Sequence, residues 1–380
     1  MAGAVEIKVL EKDLAAALAG FFKQLLELEE IRAVLAPLRL PMKNTVRPTL
    51  VAEPAYLDQA DPLAPSFPLN AARIASRLTR KPIGGHLILV LRPCEIRAFT
   101  ELVKLKQGQI EEVTIVGLDC LGAYRNTDYT RFFDLCGDDS TARFYRHMLS
   151  GTKGDLDGFK PAPACQACGH FTPEGADVMI CLLGVDTDHQ LPAVGQTTKG
   201  RDLLTRLDLP PAEVPASRAD VLAGLAAEHG ARREAMLAAT RAATSNLSLL
   251  AGYLSACVNC YNCRAACPVC YCRECVFNTD VFEHEPFQYV KWAQRRGVLK
   301  MPTDTLFYHL TRMVHMSTAC VGCGQCSNAC PNEVPVMELL QLAAVRTQAA
   351  FDYQAGRSLE EPPPLSVFGQ EEFLELTSGQ

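Results

Sequence analysis

The 380-residue sequence has no long apolar segment, no block of basic charge and no apolar leader at its start. A transmembrane helix would need about 18 consecutive apolar residues. A signal peptide would need a basic start followed by an apolar stretch, whereas residues 1–12 interleave charged and apolar side chains. A net charge of −6 without a basic cluster is not typical of nucleic-acid or lipid binding. We therefore expect a cytoplasmic protein with no nucleic-acid partner and no direct membrane insertion.

The chain also lacks a Gly-x-Gly-x-x-Gly fingerprint, so a standard Rossmann dinucleotide site is not indicated. It does contain 17 cysteines. An odd number of cysteines without an export signal argues against a disulfide framework, and their spacing favours metal binding. The 48% hydrophobic content is that of a globular protein, and the length fits two or three domains.

Eight cysteines in the last third form two copies of the motif Cys-x2-Cys-x2-Cys-x3-Cys-Pro, which binds [4Fe–4S] clusters in bacterial ferredoxins. Three thiolates at this spacing wrap one face of a cluster. In two-cluster ferredoxins the fourth cysteine of each run ligates the other cluster, so two sets of ligands are predicted. Set 1 comprises Cys257, Cys260, Cys263 and Cys330, and set 2 comprises Cys267, Cys320, Cys323 and Cys326.

Two other metal sites have similar spacing. Structural zinc also uses Cys-x2-Cys pairs, but it needs neither a third thiol nor a Cys-Pro at a fixed offset. Cys263, Cys267 and Cys270 match the Cys-x3-Cys-x2-Cys spacing of radical-SAM sites. That match overlaps a complete ferredoxin run, and no repeated β/α barrel follows it. Two iron–sulfur clusters are therefore the favoured interpretation.

The 52 residues between Cys267 and Cys320 are too many for a compact ferredoxin hairpin. Helices are predicted over residues 287–296, 304–315 and 336–351. The segment resembles the α-helical ferredoxin module of succinate dehydrogenase-type and heterodisulfide reductase-type iron–sulfur subunits. This resemblance implies two clusters close enough together to conduct electrons.

Some metal-binding side chains of this segment have no predicted partner. Three thiols are either a further partial ligand set or buried small hydrophobes. They are Cys270, Cys272 and Cys275. The histidines are expected to be ordinary polar or partly buried residues rather than ligands, and they are His284, His309 and His315.

The earlier part of the chain has the pattern of an α/β domain. Short apolar runs predict strands over residues 86–91, 113–118 and 177–184, and helical spacing predicts a helix over 94–106. Prolines between residues 37 and 68 predict a looped or extended path. Further helices are predicted over residues 5–36, 71–78 and 217–256, the last interrupted near Gly230.

Four dispersed cysteines form set 3, which comprises Cys94, Cys120, Cys165 and Cys168. Two of them follow predicted strands, and the other two form a Cys-x2-Cys pair. Ligands in open α/β sheets gather just beyond the carboxyl ends of the strands. The fold could therefore bring these thiols together as a third four-thiolate site.

Three motifs around set 3 resemble the coenzyme F420 hydrogenase/dehydrogenase beta-subunit family over roughly residues 40–205. They are Arg92-Pro93-Cys94-Glu95-Ile96-Arg97-Ala98, Gly117-Leu118-Asp119-Cys120, and Cys165-Gln-Ala-Cys168 followed by Ala176-Asp177. The resemblance implies FAD and one [4Fe–4S] cluster, with set 3 as its ligands. It makes Cys136 and Cys181 the substitutes if one ligand is misassigned.

FAD has no sequence fingerprint here, so its candidates are groups suited to a pyrophosphate, namely cations and helix N-termini. Asn70 stands where the helix over residues 71–78 is predicted to begin. The same residues would also be ordinary surface or capping groups. The candidates are Lys43, Asn44, Asn70, Arg73 and Arg92.

Together these patterns predict an α/β (α+β) flavin and iron–sulfur domain (residues 1–209) and a helical linker (210–246). An α-helical ferredoxin domain with two [4Fe–4S] clusters (247–355) and a tail (356–380) follow. The predicted function is an electron-transfer beta subunit of a multisubunit oxidoreductase of the formate dehydrogenase, hydrogenase or heterodisulfide reductase type. Its partners would be catalytic and other electron-transfer subunits and a soluble electron carrier. The alternatives are a self-contained flavin-dependent reductase and a non-enzymatic metal-cluster scaffold.

Overall fold

The computed structural model describes residues 3–41, 45–151 and 155–366. Seven strands form one mixed sheet in the order β1-β7-β6-β5-β4-β2-β3, in which β2, β4, β5 and β6 run parallel. The outer pairs β1–β7, β6–β7 and β2–β3 are antiparallel. The strands are β1 (Ala4–Lys8), β2 (Ile31–Leu40), β3 (Thr45–Val51), β4 (His86–Leu91), β5 (Val113–Leu118), β6 (Val178–Ile180) and β7 (Gln190–Gly195).

Helices cover both faces of the sheet and are the regular secondary structure of the described residues after β7. Those of the sheet region are α1 (Leu14–Leu26), α2 (Ala72–Leu78), α3 (Pro93–Lys104), α4 (Asn126–Cys136), α5 (Ser140–Leu149), α6 (Pro163–Gln166) and α7 (Thr198–Thr205). The later ones are α8 (Arg218–Ala243), α9 (Leu247–Tyr253), α10 (Asn262–Ala266), α11 (Pro286–Arg296), α12 (Thr305–Met316), α13 (Gln325–Asn328) and α14 (Val336–Ala350). Within the described residues, no helix is both long and apolar enough to cross a membrane.

The predicted helix over residues 5–36 is wrong at both ends, because only α1 is helical there. Its start is fixed by Asp13, whose Oδ1 accepts a hydrogen bond from the Ala16 N–H at 3.0 Å. The residues after α1 form β2, and Val34, Leu35 and Ala36 are buried within the sheet. A strand covered on both faces has a continuous apolar run, which sequence periodicity does not distinguish from a buried helix.

The extended or looped path predicted between residues 37 and 68 is present, and its first part lies in β2 and β3. Pro37 and Pro48 face each other in the paired strands β2 and β3, and β3 is a sheet edge, where proline is tolerated. The interruption expected near Gly230 is absent, since α8 runs through that residue. The break comes after Thr244, and Asn246 caps α9 by accepting from the Leu249 N–H at 2.9 Å. By contrast, the predicted strands over residues 86–91 and 113–118 coincide with β4 and β5.

The C-terminal helices pack on the face of the sheet that α2 and α3 cover. One buried apolar cluster joins Leu89 of β4 and Phe99 of α3 to Val321 and Leu339. The other face is covered by α1, α4 and α5, with Phe22 and Phe132 at its centre. The ferredoxin-like segment therefore shares a core with the sheet.

Polar contacts from α3 fix the chain just after α14. The buried Glu101 carboxylate pairs with Lys104 at 2.8 Å and accepts hydrogen bonds from Tyr353 Oη at 2.5 Å and the Gly356 N–H at 2.6 Å. Gly356 has φ +77°, and a Cβ there would lie 2.5 Å from the backbone of Arg97. Glycine is therefore required where the chain passes over α3.

We expect Glu101→Ala to lower the free energy of unfolding by about 3–5 kcal/mol, because it leaves Lys104 buried without its partner. The measurement is the urea midpoint under anaerobic conditions at an unchanged m value. Glu29→Ala, at an exposed position, is the control and should leave the midpoint in place. A midpoint for Glu101→Ala equal to that of the control would contradict this account of the contact.

Candidate metal centres

The set 3 thiols meet at the carboxyl ends of two central strands. Cys94 lies at the start of α3 directly after β4, and Cys120 lies two residues after β5. Cys165 is in α6, and Cys168 follows it closely. All four line one cavity of about 700 Å³. The structure therefore brings together the four cysteines that sequence analysis assigned to set 3.

The surroundings of these thiols are strongly desolvated. Burial raises the pKa of Cys94 well above its ordinary value, and the nearby Cys323, Glu95 and Cys120 raise it further. Burial also raises the pKa of Cys165 to about 12, with Cys120 adding to the effect. Without metal these thiols are protonated at neutral pH. Metal binding would therefore release protons, as it does at any thiolate site.

Set 2 lies next to set 3. Cys323 also lines the large cavity, and it is among the neighbours that raise the pKa of Cys94. Gly324 has φ +77°, and a Cβ there would lie 2.4 Å from Cβ of Ala164, which precedes Cys165. The loop of set 2 thus touches α6, the helix that carries Cys165 of set 3.

The four members of set 2 are close to one another. Burial raises the pKa of Cys267 to about 11, while Arg312 lowers it and Cys320 raises it. Cys326 is buried, and its pKa is raised well above its ordinary value by burial and by Cys267 and Cys323, against the opposing charge of Arg312. Cys267 therefore joins the second run, as the exchange of fourth ligands predicts.

Set 1 surrounds a smaller cavity between α10 and α12, which all four of its cysteines line. Side chains of α12 contact its sulfurs: Tyr308 Oη lies 3.3 Å from Cys263 Sγ, and His309 Nε2 lies 3.4 Å from Cys257 Sγ. Cys260 is exposed, which makes set 1 the most accessible of the three sets. Sequence analysis predicted that His309 is an ordinary residue, and it did not find that this side chain lies against Cys257, a predicted ligand.

Nitrogen donors approach a sulfur atom in every set. The His170 N–H donates to Cys168 Sγ at 3.4 Å, Gln341 Nε2 donates to Cys320 Sγ at 3.2 Å, and the Val334 N–H donates to Cys330 Sγ at 3.3 Å. Hydrogen bonds to cysteine sulfur are one means by which proteins adjust iron–sulfur clusters. Four thiols with such donors fit the chemistry of a [4Fe–4S] cluster. Across residues 3–41, 45–151 and 155–366, no three His, Cys, Asp or Glu side chains form a site for a single metal ion.

Comparison with known proteins relates the second cysteine run to an iron–sulfur family and most of the chain to formate dehydrogenase subunits. The 4Fe-4S binding domain family matches residues 313–336, which contain the complete second cysteine run. Over 380 aligned residues the chain is 22% identical to the F420-dependent formate dehydrogenase subunit beta of Methanocaldococcus jannaschii. The match covers 92% of this chain and 94% of that protein.

A second relative is the F420-dependent formate dehydrogenase 1 subunit beta of Methanococcus maripaludis. It is 26% identical over 315 residues, covering 74% of this chain and 76% of its own. Both relatives are named as formate dehydrogenase beta subunits. The resemblance predicted from the motifs is therefore confirmed, and it extends over most of the chain.

One solved structure is similar over part of the chain, the xenon-derivatized F420-reducing [NiFe] hydrogenase complex from Methanosarcina barkeri. The identity is 14% and the TM-score 0.46, with 65% of this chain and 94% of the other chain covered.

The residues predicted to contact FAD are dispersed. Lys43 and Asn44 lie outside the described residues. Arg92 lines the large cavity, donates to the Ser66 carbonyl at 2.9 Å and lies over the Phe67 ring at 5.0 Å. The remaining two candidates, Asn70 and Arg73, do not line this cavity.

Asn70 and Arg73 have local partners instead. Asn70 is buried, and its Oδ1 accepts from the N–H of Ala72, the first residue of α2, at 3.0 Å, although Ala71 is the N-cap of this helix. Arg73 Nη1 donates to the Ala265 carbonyl at 2.5 Å, which joins α2 to α10. Of the predicted FAD residues that the structure describes, only Arg92 therefore faces a space of cofactor size.

The remaining cysteines fall into two groups. Burial raises the pKa of Cys270, with Arg312 opposing and Cys272 adding to the rise, and Cys272 itself is exposed. Cys272 is therefore not a buried small hydrophobe, which was one of the two interpretations of these thiols. Cys136 contacts Arg143 through its sulfur at 3.3 Å, and Cys181 is fully buried directly after β6, an interior strand of the sheet. Neither lines the cavity that holds set 3.

Serine substitutions separate the set 3 ligands from their predicted substitutes. We expect Cys120→Ser to lower the iron content of anaerobically purified protein from about twelve to about eight atoms per chain, because one cluster loses a thiolate. Cys136→Ser and Cys181→Ser should each retain about twelve, as measured by iron and acid-labile sulfide assays. Loss of about four iron atoms in either control variant would move that cysteine into the ligand set.

Proposed function

We propose that this chain is an iron–sulfur electron-transfer beta subunit of a multisubunit oxidoreductase of the formate dehydrogenase type. The observation that carries the proposal is the succession of three four-thiol sets from a large cavity to the protein surface. Set 3 lines the cavity, set 2 touches set 3, and set 1 has an exposed member in Cys260. The names of two relatives that match most of the chain support the same function.

In this function each set would bind one [4Fe–4S] cluster. The clusters of sets 1 and 2 would be the two clusters of an α-helical ferredoxin domain. Cys94 and Cys323, which line the same cavity and interact electrostatically, would connect the first pair of clusters. The second pair would be connected through the core around Arg312, whose charge interacts with Cys263 of set 1 and Cys326 of set 2. Electrons would therefore cross the chain in the order set 3, set 2, set 1, or the reverse.

The large cavity is the proposed FAD site. Its volume of about 700 Å³ is within the range of cofactor pockets. It borders set 3 on one side and α8 on the other, and Arg92 and Arg232 supply cations at its wall for a pyrophosphate. When bound, a flavin exchanges electrons in pairs with a soluble carrier and singly with a cluster. Because its relatives are named F420-dependent, we propose F420 as that carrier.

The residues of this chain would bind and orient these groups and exclude water from them. Because the relatives are named as beta subunits, oxidation of formate is proposed for a partner subunit. The isolated chain is expected to transfer electrons from reduced F420 to an artificial one-electron acceptor without oxidising formate. Turnover of formate or another small substrate by the isolated chain would favour a self-contained reductase instead.

Cofactor content tests the proposal directly. Anaerobically purified protein should contain about twelve iron atoms, an equal amount of acid-labile sulfide and one releasable FAD. About eight iron atoms and no flavin would contradict the set 3 cluster and the FAD site while leaving the other two clusters intact. Zinc in place of iron would support a metal-bearing scaffold without electron transfer.

Filling the cavity provides a matched test of the flavin site. A Cβ at Gly224 of α8 meets no atom within 4 Å, and this residue lines the cavity. We expect Gly224→Trp to reduce releasable FAD several-fold while iron stays at about twelve atoms, because the indole occupies flavin space. Gly230→Trp is the control, since Gly230 is on the same helix and equally unobstructed but does not line the cavity. Equal FAD contents in the two variants would place the flavin elsewhere.

A further inference from the structure

Arg312 is a buried cation between set 1 and set 2. It lies on α12 and is only 5% exposed. The ionisable groups that act on it most strongly are thiols of both sets, Cys263 of set 1 and Cys267 and Cys326 of set 2. A charge taken out of water in this way is costly unless it is paired and hydrogen-bonded.

The hydrogen bonds of Arg312 are incomplete. Nη2 donates to the Cys263 carbonyl at 3.3 Å, and the guanidinium lies 5.8 Å from the Tyr308 ring centre. Within the described residues, the buried Nε and Nη1 atoms have no hydrogen-bond partner. A guanidinium has five N–H groups and no way to lose its charge, so this site lacks acceptors.

Arg97 shows that this fold does satisfy a buried arginine elsewhere. It lies between set 3 and set 2, with its Nε and Nη2 donating to the Ala355 carbonyl at 3.1 and 2.7 Å. Its Nη1 donates to the Val321 carbonyl at 3.2 Å. The fold therefore satisfies the buried guanidinium of Arg97 but leaves two nitrogens of Arg312 without partners at the junction of sets 1 and 2.

We propose that Arg312 is a positioning residue shared by both C-terminal clusters, which donates its unpartnered N–H groups to their sulfur atoms and raises both reduction potentials together. This inference rests on the proposed function. A fixed positive charge in a low-dielectric interior favours the more negative, reduced form of a nearby cluster. Hydrogen bonds to the sulfurs act in the same direction. One side chain would thus keep the two clusters at similar potentials.

Three variants of the full chain, purified anaerobically, test this role in redox titrations followed by electron paramagnetic resonance. Arg312→Met removes the charge and the donors at similar length. In this variant we expect the ratio of reduced to oxidised cluster at a fixed potential to fall about tenfold for each C-terminal cluster. This corresponds to a reduction potential that is lower by about 59 mV for one electron. Arg312→Lys keeps the positive charge but loses the planar guanidinium with its several N–H donors, so the change in both potentials should be smaller than in Arg312→Met. Arg346→Met, at an exposed position on α14, should change neither potential.

Each result bears on the proposal in a defined way. Normal clusters with unchanged potentials in Arg312→Met would overturn it, and so would a change confined to one cluster. If Arg312→Met fails to assemble its clusters, Arg312→Lys decides, and unchanged potentials there would overturn the proposal. Absence of C-terminal clusters from the unmodified protein would refute the proposed function and this inference together. Intact clusters with unaltered potentials refute the arginine's role alone.

Discussion

The connection between the sheet and the C-terminal helices depends on the buried side chain of Arg97. Its three nitrogens bind the Ala355 and Val321 carbonyls, which lie 258 and 224 residues further along the chain. Cys94 is one helical turn before Arg97, and Cys323 is two residues after Val321. The hydrogen bonds that dock α3 on this segment therefore also fix the approach of set 3 to set 2. Without that approach, the thiols of the sheet and those of the ferredoxin-like segment would belong to separate sites.

Sequence reasoning identified the parts whose signal is local. The two cysteine runs are defined by short spacings, and the strands preceding Cys94 and Cys120 are compact apolar runs, so both are visible without the fold. It failed over residues 5–36, because the apolar run of β2 mimics a buried helix. It also could not find the roles of Arg97 and Arg312. Their hydrogen-bond partners are 49 to 258 residues distant in the chain, and no neighbouring residue marks them.

The choice of arginine at both junctions has a physical reason. Clusters held by four thiolates would add negative charge to an interior that already excludes water, and a chain of net charge −6 offers no general compensation. Lysine loses its proton when it is deeply buried, whereas arginine stays charged. The two guanidinium groups differ in what they bind. Arg97 is satisfied by backbone carbonyls and acts as a tether, while the free donors of Arg312 are available to groups held by sets 1 and 2.

The two ends of the proposed path have different surroundings, which suits them to different partners. Set 3 opens into a cavity large enough to enclose a flavin, so the two-electron carrier would react there, shielded from water. Set 1 ends at exposed Cys260 beside Val258, which is 56% exposed. An apolar surface around a cluster permits another protein to approach it closely and to exclude solvent on contact. Set 2 has two buried cysteines, Cys267 and Cys326, and touches both of the others, so an electron would pass through it in either direction of flow.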